Sequence, residues 1–307
     1  MELSSHDFAG RVSFVTGPEK GCGKTTFVNR ALALLRAAGE RAAFLTVGFE
    51  GEAGPGSPPG GAGRRPTIDC LPGEVFLSSE VYLRGSTCSP EILDLLPGST
   101  ALGRLALARA RRRGQVVLVG PERNDYAAWA IDRVLEEGWA RSVLVDGAIN
   151  RITQVSARSD ARLFYVARIG PGDLDRQLRS LRRMFTLARL PLWPAGRDPA
   201  GAEHGFPAPV AALEGPLSAE TLSRLPPAVK TILVDDFTKV FLEASALAAL
   251  LRSRSIVVRR RLWLSAFVVA LRDLSRARFL DALGDRDLQS LVAFNPYEAR
   301  AGEYAHA

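Results

Sequence analysis

An α/β architecture, a mostly parallel sheet with helices on both faces followed by a smaller C-terminal α/β domain, is predicted by three features of this chain. Apolar, β-prone runs alternate with helical ones, several strand-like runs end in glycine, and the alternation resumes after a Pro- and Gly-rich stretch near residue 200. Parallel strands cannot be joined by a tight turn and need a crossover, so alternation of this kind implies a parallel sheet with covering helices.

The elements follow in order. "RVSFVTG" (11–17) reads as a strand and "KTTFVNRALALLRAAG" (24–39) as a helix, in which Val28, Ala31, Leu32 and Leu35 recur at helical spacing and Gly39 takes the C-terminal cap position. "RAAFLTVG" (41–48), "GQVVLVG" (114–120), "RSVLVDG" (141–147) and "ARLFYVARIG" (161–170) are predicted strands, and "DYAAWAIDRVLEEG" (125–138) a helix. Residues 51–66 are too rich in Gly and Pro to pack and are expected to form a mobile surface loop. "LPLWPAGRDPAGAEHGFPAP" (190–209) is expected to link two domains, 1–195 and 208–307. Beyond it come "KTILVDD" (230–236) as a strand, "LEASALAALLRS" (242–253) as a helix, "SIVVRRRLWLSAFVVAL" (255–271) as strands, "ARFLDALG" (277–284) as a helix and "LQSLVAFN" (288–295) as a strand.

At 307 residues and 47% hydrophobic content the chain can bury a substantial core. It contains no long uncharged apolar run, and "MELSSHDFAG" lacks the basic start and apolar stretch of a signal peptide, so a soluble cytoplasmic protein with no membrane partner is expected. Cys22, Cys70 and Cys88 form no C-x-x-C pair, which fits a reducing compartment, and His6, His204 and His306 make no metal-ligand or triad pattern. The formal charge is +7, carried almost wholly by arginine, but the runs 109–113 and 259–261 lack interleaved aromatic residues. They read as solvated faces, and nucleic acid is not the expected partner.

The informative stretch is "TGPEKGCGKTT" (16–26). A strand ending in a glycine-rich turn that runs into a helix aims several backbone N–H groups and the positive end of the helix dipole at one point, which attracts phosphate. Counted back from Lys24, the leading glycine is Gly17, so the spacing is G-x-x-x-x-x-G-K-T, one residue longer than the usual phosphate loop, with Pro18 as the insertion. Gly21 and Gly23 would let the backbone approach the oxygens, Lys24 would reach the β- and γ-phosphates, and Thr25 would place its hydroxyl on Mg²⁺, with Gly17 at the head of the loop and Thr26 at its end completing the nucleotide-binding set. Cys22 reads as a small residue filling the loop.

Magnesium takes one or two protein carboxylates beside the phosphates, and these belong at the C-terminal ends of neighbouring strands. Asp146, delivered by "SVLVDG", and Glu50, in "FLTVGFEGE", are the candidates, with Glu52 beside the latter. Glu122 and Asn124 stand near another strand end, and Asn150 is a candidate for the base edge; no N-K-x-D element separates ATP from GTP, and ATP is favoured. In the C-terminal domain Asp235, Asp236 and Lys239 follow a strand, where an Asp cap onto the next segment is the expected role.

The loop resembles that of dethiobiotin synthetase and its relatives, P-loop NTPases with the longer spacing, and "VLVDGAINR" is similar to the acid-bearing strand end of that group, Asp146 standing in the acid's place. Over most of the chain the order "VTGPEKGCGKTT", "TVGFEGE", "LPGEVFLSSE", "GSTALGRLALARARRRGQVVLVGP", "VLVDGAINR" and "KTILVDDFTKVFL" resembles the P-loop subunit of the reactivase of adenosylcobalamin-dependent lysine 5,6-aminomutase. The resemblance implies a P-loop NTPase whose slow hydrolysis switches a protein partner, either a second reactivase subunit or the cobalamin-dependent mutase, with homodimerisation open. Two alternatives remain at this point: an ATP-dependent ligase or kinase of the dethiobiotin-synthetase type, and a nucleotide-binding scaffold that does not hydrolyse. Lys20, Lys24, Lys230 and Lys239 are the chain's lysines, so Lys20 alone accompanies Lys24 at the loop; this favours a switch over a ligase that needs a further lysine near the γ-phosphate.

Overall fold

The computed structural model describes residues 1–19, 21–47, 67–100, 102–121, 123–147, 161–201 and 205–295. Lys20, Glu50, Glu52, Glu122, Asn150 and the loop 51–66 lie outside the described residues. The architecture is α/β with a large, mostly parallel, mixed sheet. The chain divides into two compact units, Met1–Val155 with Ala161–Ala167, and Ser156–Asp160 with Arg168–Ala307.

In the first unit, β1 (Val12–Thr16) leads into α1 (Lys24–Ala37) and β2 (Ala42–Thr46). The hydrophobic spacing of α1 does what helical periodicity requires: Phe27, Val28, Ala31, Leu32 and Leu35 are all buried. Gly39 follows the helix with φ +73°, and the Glu40 N–H donates to the Leu35 carbonyl at 2.9 Å, a left-handed cap that only glycine adopts without strain. Phe164 packs on Phe8 and Phe27, with ring centroids 4.8 and 5.5 Å away, which seats the start of α1 on the sheet.

After β2 come β3 (Ile68–Cys70), β4 (Val75–Ser79), α2 (Glu80–Arg84), β5 (Pro90–Thr100), β6 (Gly103–Ala110) and β7 (Gly114–Val116). Here the structure departs from expectation. "GQVVLVG" is not a strand of the main sheet; only its first three residues form β7, which pairs antiparallel with β3. The extra sheet strands are instead β5 and β6, an antiparallel excursion beyond β4. A short apolar run does not by itself distinguish a sheet strand from buried irregular chain. Arg36 of α1 clasps this region: its guanidinium holds Glu74 through two hydrogen bonds of 2.6 and 2.7 Å and donates to the Asp69 carbonyl at 2.6 Å.

The unit ends with α3 (Asn124–Glu136), β8 (Ser142–Asp146) and β9 (Arg162–Ile169). Its strands lie in the order β9-β1-β8-β2-β4-β6-β5, and β9, β1, β8, β2 and β4 are parallel. From β1 the chain continues to β2 on one side, whereas from β8 it continues to β9 on the other. Connections that diverge in this way leave a crevice at the carboxyl ends of β1 and β8, the place where open α/β sheets bind ligands.

The second unit contains α4 (Leu174–Ala188), β10 (Val210–Ala212), α5 (Ala219–Arg224), β11 (Thr231–Val234), α6 (Ala244–Leu251), β12 (Ser255–Val258), β13 (Trp263–Leu271), α7 (Arg276–Leu283), α8 (Arg286–Ser290) and β14 (Val292–Phe294). β10, β11 and β12 form a parallel three-stranded sheet, and β13 pairs with β14 in parallel. The stretch 190–209 lies within this unit: Trp193 is buried with Leu233 and Val257, and Phe206 stacks on it at 5.6 Å. Most of "LQSLVAFN" departs from the expected strand, since its start belongs to α8 and only Val292–Phe294 is extended. Asp236 caps the 3₁₀ turn Phe237–Lys239, accepting hydrogen bonds from the Thr238 N–H, at 2.8 Å, and from the Thr238 hydroxyl.

Candidate phosphate-binding site

Several strand ends converge at the crevice. Val15 pairs with Asp146 across β1 and β8, and Thr46 pairs with Asp146 across β2 and β8. Residues paired in register share a face of the sheet, so Val15, Asp146 and Thr46 stand side by side at its carboxyl edge. The backbones remain joined one step further, with the Val47 N–H donating to the Asp146 carbonyl at 2.9 Å and the Gly147 N–H to the Val15 carbonyl at 3.1 Å.

The loop after β1 is held by its glycines. Gly21 and Gly23 take φ of +74° and +101°, which side-chain-bearing residues rarely adopt. A Cβ at Gly21 would meet nothing within 4 Å, so the loop presents bare backbone to open space. Gly17 has the opposite role: a Cβ there would come within 2.5 Å of both the Cys22 sulfur and the Val166 carbonyl oxygen. Cys22 is buried against the place a Gly17 side chain would occupy, so the longer loop closes through a Gly17–Cys22 contact on β9. Burial pushes the Cys22 thiol above its ordinary pKa despite the nearby Lys24 charge, which makes it a packing group instead of a thiolate.

Gly23 is the N-cap of α1; it offers no side-chain acceptor, and the first turn of α1 holds no acid. That contrasts with α5, α7 and α8, whose Ser218, Ser275 and Asp285 side chains accept from the first-turn N–H groups. Lys24, 7% exposed, folds over the loop and donates to the Glu19 carbonyl at 3.1 Å, with its Nζ 4.0 Å from the Cys22 sulfur. Thr25 donates its hydroxyl to Asp146 Oδ2 at 3.2 Å, bringing together two residues 121 positions apart. Thr26 follows in the first turn of α1.

Of the residues expected to form the site, Gly17, Gly21, Gly23, Lys24, Thr25, Thr26 and Asp146 are brought together; Glu50 lies outside the described residues. Asn124 opens α3. Three contributions were not read from the chain. Thr46 stands beside Asp146, Val166 supplies the carbonyl under Gly17, and a Cβ on Gly120 would overlap the Thr46 carbonyl oxygen. All three depend on which strands are neighbours, which no local motif records; the glycine at 120 was the one available signal.

The donor set suits a magnesium–phosphate group. Thr25 and Asp146 provide two hard oxygens on adjacent elements, and among the described residues no group of three or more His, Cys, Asp or Glu side chains could hold a metal unaided. Mg²⁺ is commonly bound in this way, by one or two protein oxygens with phosphates and water completing the shell. Among the described residues no helix is long and apolar enough to cross a membrane. Compared with family models, curated proteins and solved structures, the chain matches none.

Proposed function

We propose that this chain is a P-loop NTPase that binds a nucleoside triphosphate with Mg²⁺ at the Gly17–Thr26 loop, and that slow hydrolysis there switches a protein partner. The observation that carries this reading is the Thr25–Asp146 hydrogen bond of 3.2 Å at the mouth of a loop whose Lys24 is folded inward. In this reading the glycine backbone and the first turn of α1 bind the phosphates. Lys24 exchanges its Glu19 carbonyl contact for the β- and γ-phosphate oxygens. Thr25 and Asp146 would hold Mg²⁺, which neutralises phosphate charge when bound. ATP is the favoured nucleotide. The resemblance described above makes the switched partner a second reactivase subunit or a cobalamin-dependent aminomutase.

The lysine content of the chain favours a switch over a ligase, because Lys20 is the one lysine near Lys24 in sequence and the other two are Lys230 and Lys239. Isothermal titration with AMP-PNP and GMP-PNP in Mg²⁺ tests the reading. Binding of one analogue that disappears in Lys24→Ala is expected, together with slow hydrolysis of the corresponding triphosphate. Binding unaffected by Lys24→Ala, or fast turnover driven by a small acid or amine, would overturn it.

A further inference from the structure

The carboxyl edge of the second unit's parallel sheet carries a feature that the nucleotide site does not use. Val234 and Val258 end β11 and β12 in register, and the two chains stay joined beyond them: the Arg259 N–H donates to the Val234 carbonyl at 2.9 Å and the Arg260 N–H to the Asp235 carbonyl at 2.8 Å. This pairing fixes two arginines around one acid. Arg259 Nε lies 3.9 Å from Asp235 Oδ1, and an Arg260 Nη lies 3.8 Å from Asp235 Oδ2. Both separations exceed a hydrogen bond, so Asp235 holds the guanidinium groups near each other without consuming their donors. The two arginine side chains are 41% and 45% exposed.

Apolar surface flanks these cations. The Arg261 guanidinium carbon lies 5.2 Å from the centroid of the Trp263 ring, and Trp263 is 45% exposed at the start of β13. On the other side of β12, Leu192 pairs with Val258 and is 44% exposed, held there by hydrogen bonds of 2.7 Å from the Trp193 N–H to the Val258 carbonyl and 2.9 Å from the Val258 N–H to the Pro191 carbonyl. An exposed Trp and Leu beside closely spaced arginines, with Leu192, Arg259 and Arg260 held by backbone pairing, form a preorganised mixed surface.

We propose that Arg259, Arg260, Arg261 and Trp263 form a docking surface for an acidic segment of a partner protein whose carboxylates alternate with aliphatic residues. Arginine forks match carboxylates in bidentate geometry, and Trp and Arg are the residue types that dominate protein–protein binding energy. A nucleic acid is the poorer occupant. Its affinity grows with the number of phosphates neutralised, whereas the exposed Trp263 and Leu192 beside these few arginines offer apolar surface that aliphatic side chains can cover and a phosphate backbone cannot. The role of the surface, as the contact through which a nucleotide-driven switch engages its partner, rests on the function proposed above; the binding itself does not.

Fluorescence anisotropy on the full chain without nucleotide tests this inference, so that it and the nucleotide reading can fail separately. The probes are a fluorescein-labelled peptide of alternating glutamate and leucine, a glutamine–leucine control and a twelve-residue oligothymidylate. The glutamate peptide is expected to bind more tightly than either comparison probe, more weakly as salt rises, and about tenfold or more weakly to Arg259→Gln/Arg260→Gln. Arg260→Lys, which keeps the charge and loses the fork, is expected to fall between wild type and the double variant, and it serves if the latter misfolds by circular dichroism. Equal binding of the glutamate peptide by wild type and variants, no binding of it at all, or tighter binding of oligothymidylate would overturn the proposal.

Discussion

Gly17 shows how one missing side chain shapes the candidate site. The residue stands between the Cys22 sulfur and the Val166 carbonyl, both 2.5 Å from where a Cβ would be. Gly17→Ala is therefore expected to destabilise the protein by about 1–3 kcal/mol through overpacking, read as a lower urea midpoint. Adding Cys22→Ala should restore only part of the loss, because the Val166 contact is backbone and cannot withdraw. Full recovery in the double variant would mean that the thiol alone limits the loop. The glycine at 17 and the lysine at 24 are visible in the motif, but the reason a longer loop closes is not, since Val166 comes from a strand about 150 residues away.

At the scale of the element, α4 illustrates how local chemistry and tertiary contacts share the work. Leu178, Leu181, Met184 and Leu187 form its buried stripe. Arg182 donates to the Ala282 and Leu283 carbonyls at the end of α7, and Arg183 to the Val240 and Leu242 carbonyls, so both arginines tie α4 to distant backbone. At the N-terminus Asp173 accepts from the Gly170 N–H at 2.8 Å and the Gln177 amide at 3.3 Å. Burial pushes its carboxyl up, but those hydrogen bonds and the Arg176 charge outweigh it and hold the group below the ordinary carboxylate range. A depressed folded pKa contributes stability that is present above the unfolded value, about 3.9, and is lost as pH falls through the folded one. Asp173→Asn should accordingly lower stability at neutral pH and flatten its decline below about pH 5, as measured by urea unfolding across that range. An unchanged acid limb in the variant would remove Asp173 from the account.

For the whole molecule, a ligand that binds only the folded state stabilises it by mass action. With Mg²⁺ and a non-hydrolysable nucleotide at a hundred times its dissociation constant, about 2.7 kcal/mol is expected, seen as a rise in melting temperature that grows with ligand concentration. Lys24→Ala should melt at the same temperature with and without nucleotide. A shift of wild-type size in that variant would place the ligand elsewhere. Much of the α/β character was legible from the sequence alone, because helical spacing in α1, glycine punctuation and apolar runs such as "SVLVD" are local properties with local physical causes. The placement of the candidate loop residues and of Asp146 at the ends of recognisable elements was legible for the same reason. Only the tertiary structure decided that β8 lies between β1 and β2, that "GQVVLVG" yields its place in the sheet to β5 and β6, and that Thr46, Gly120 and Val166 border the site. Strand order and register are set by pairings between distant segments, whose free energy depends on the packing of both partners and is written in neither one by itself.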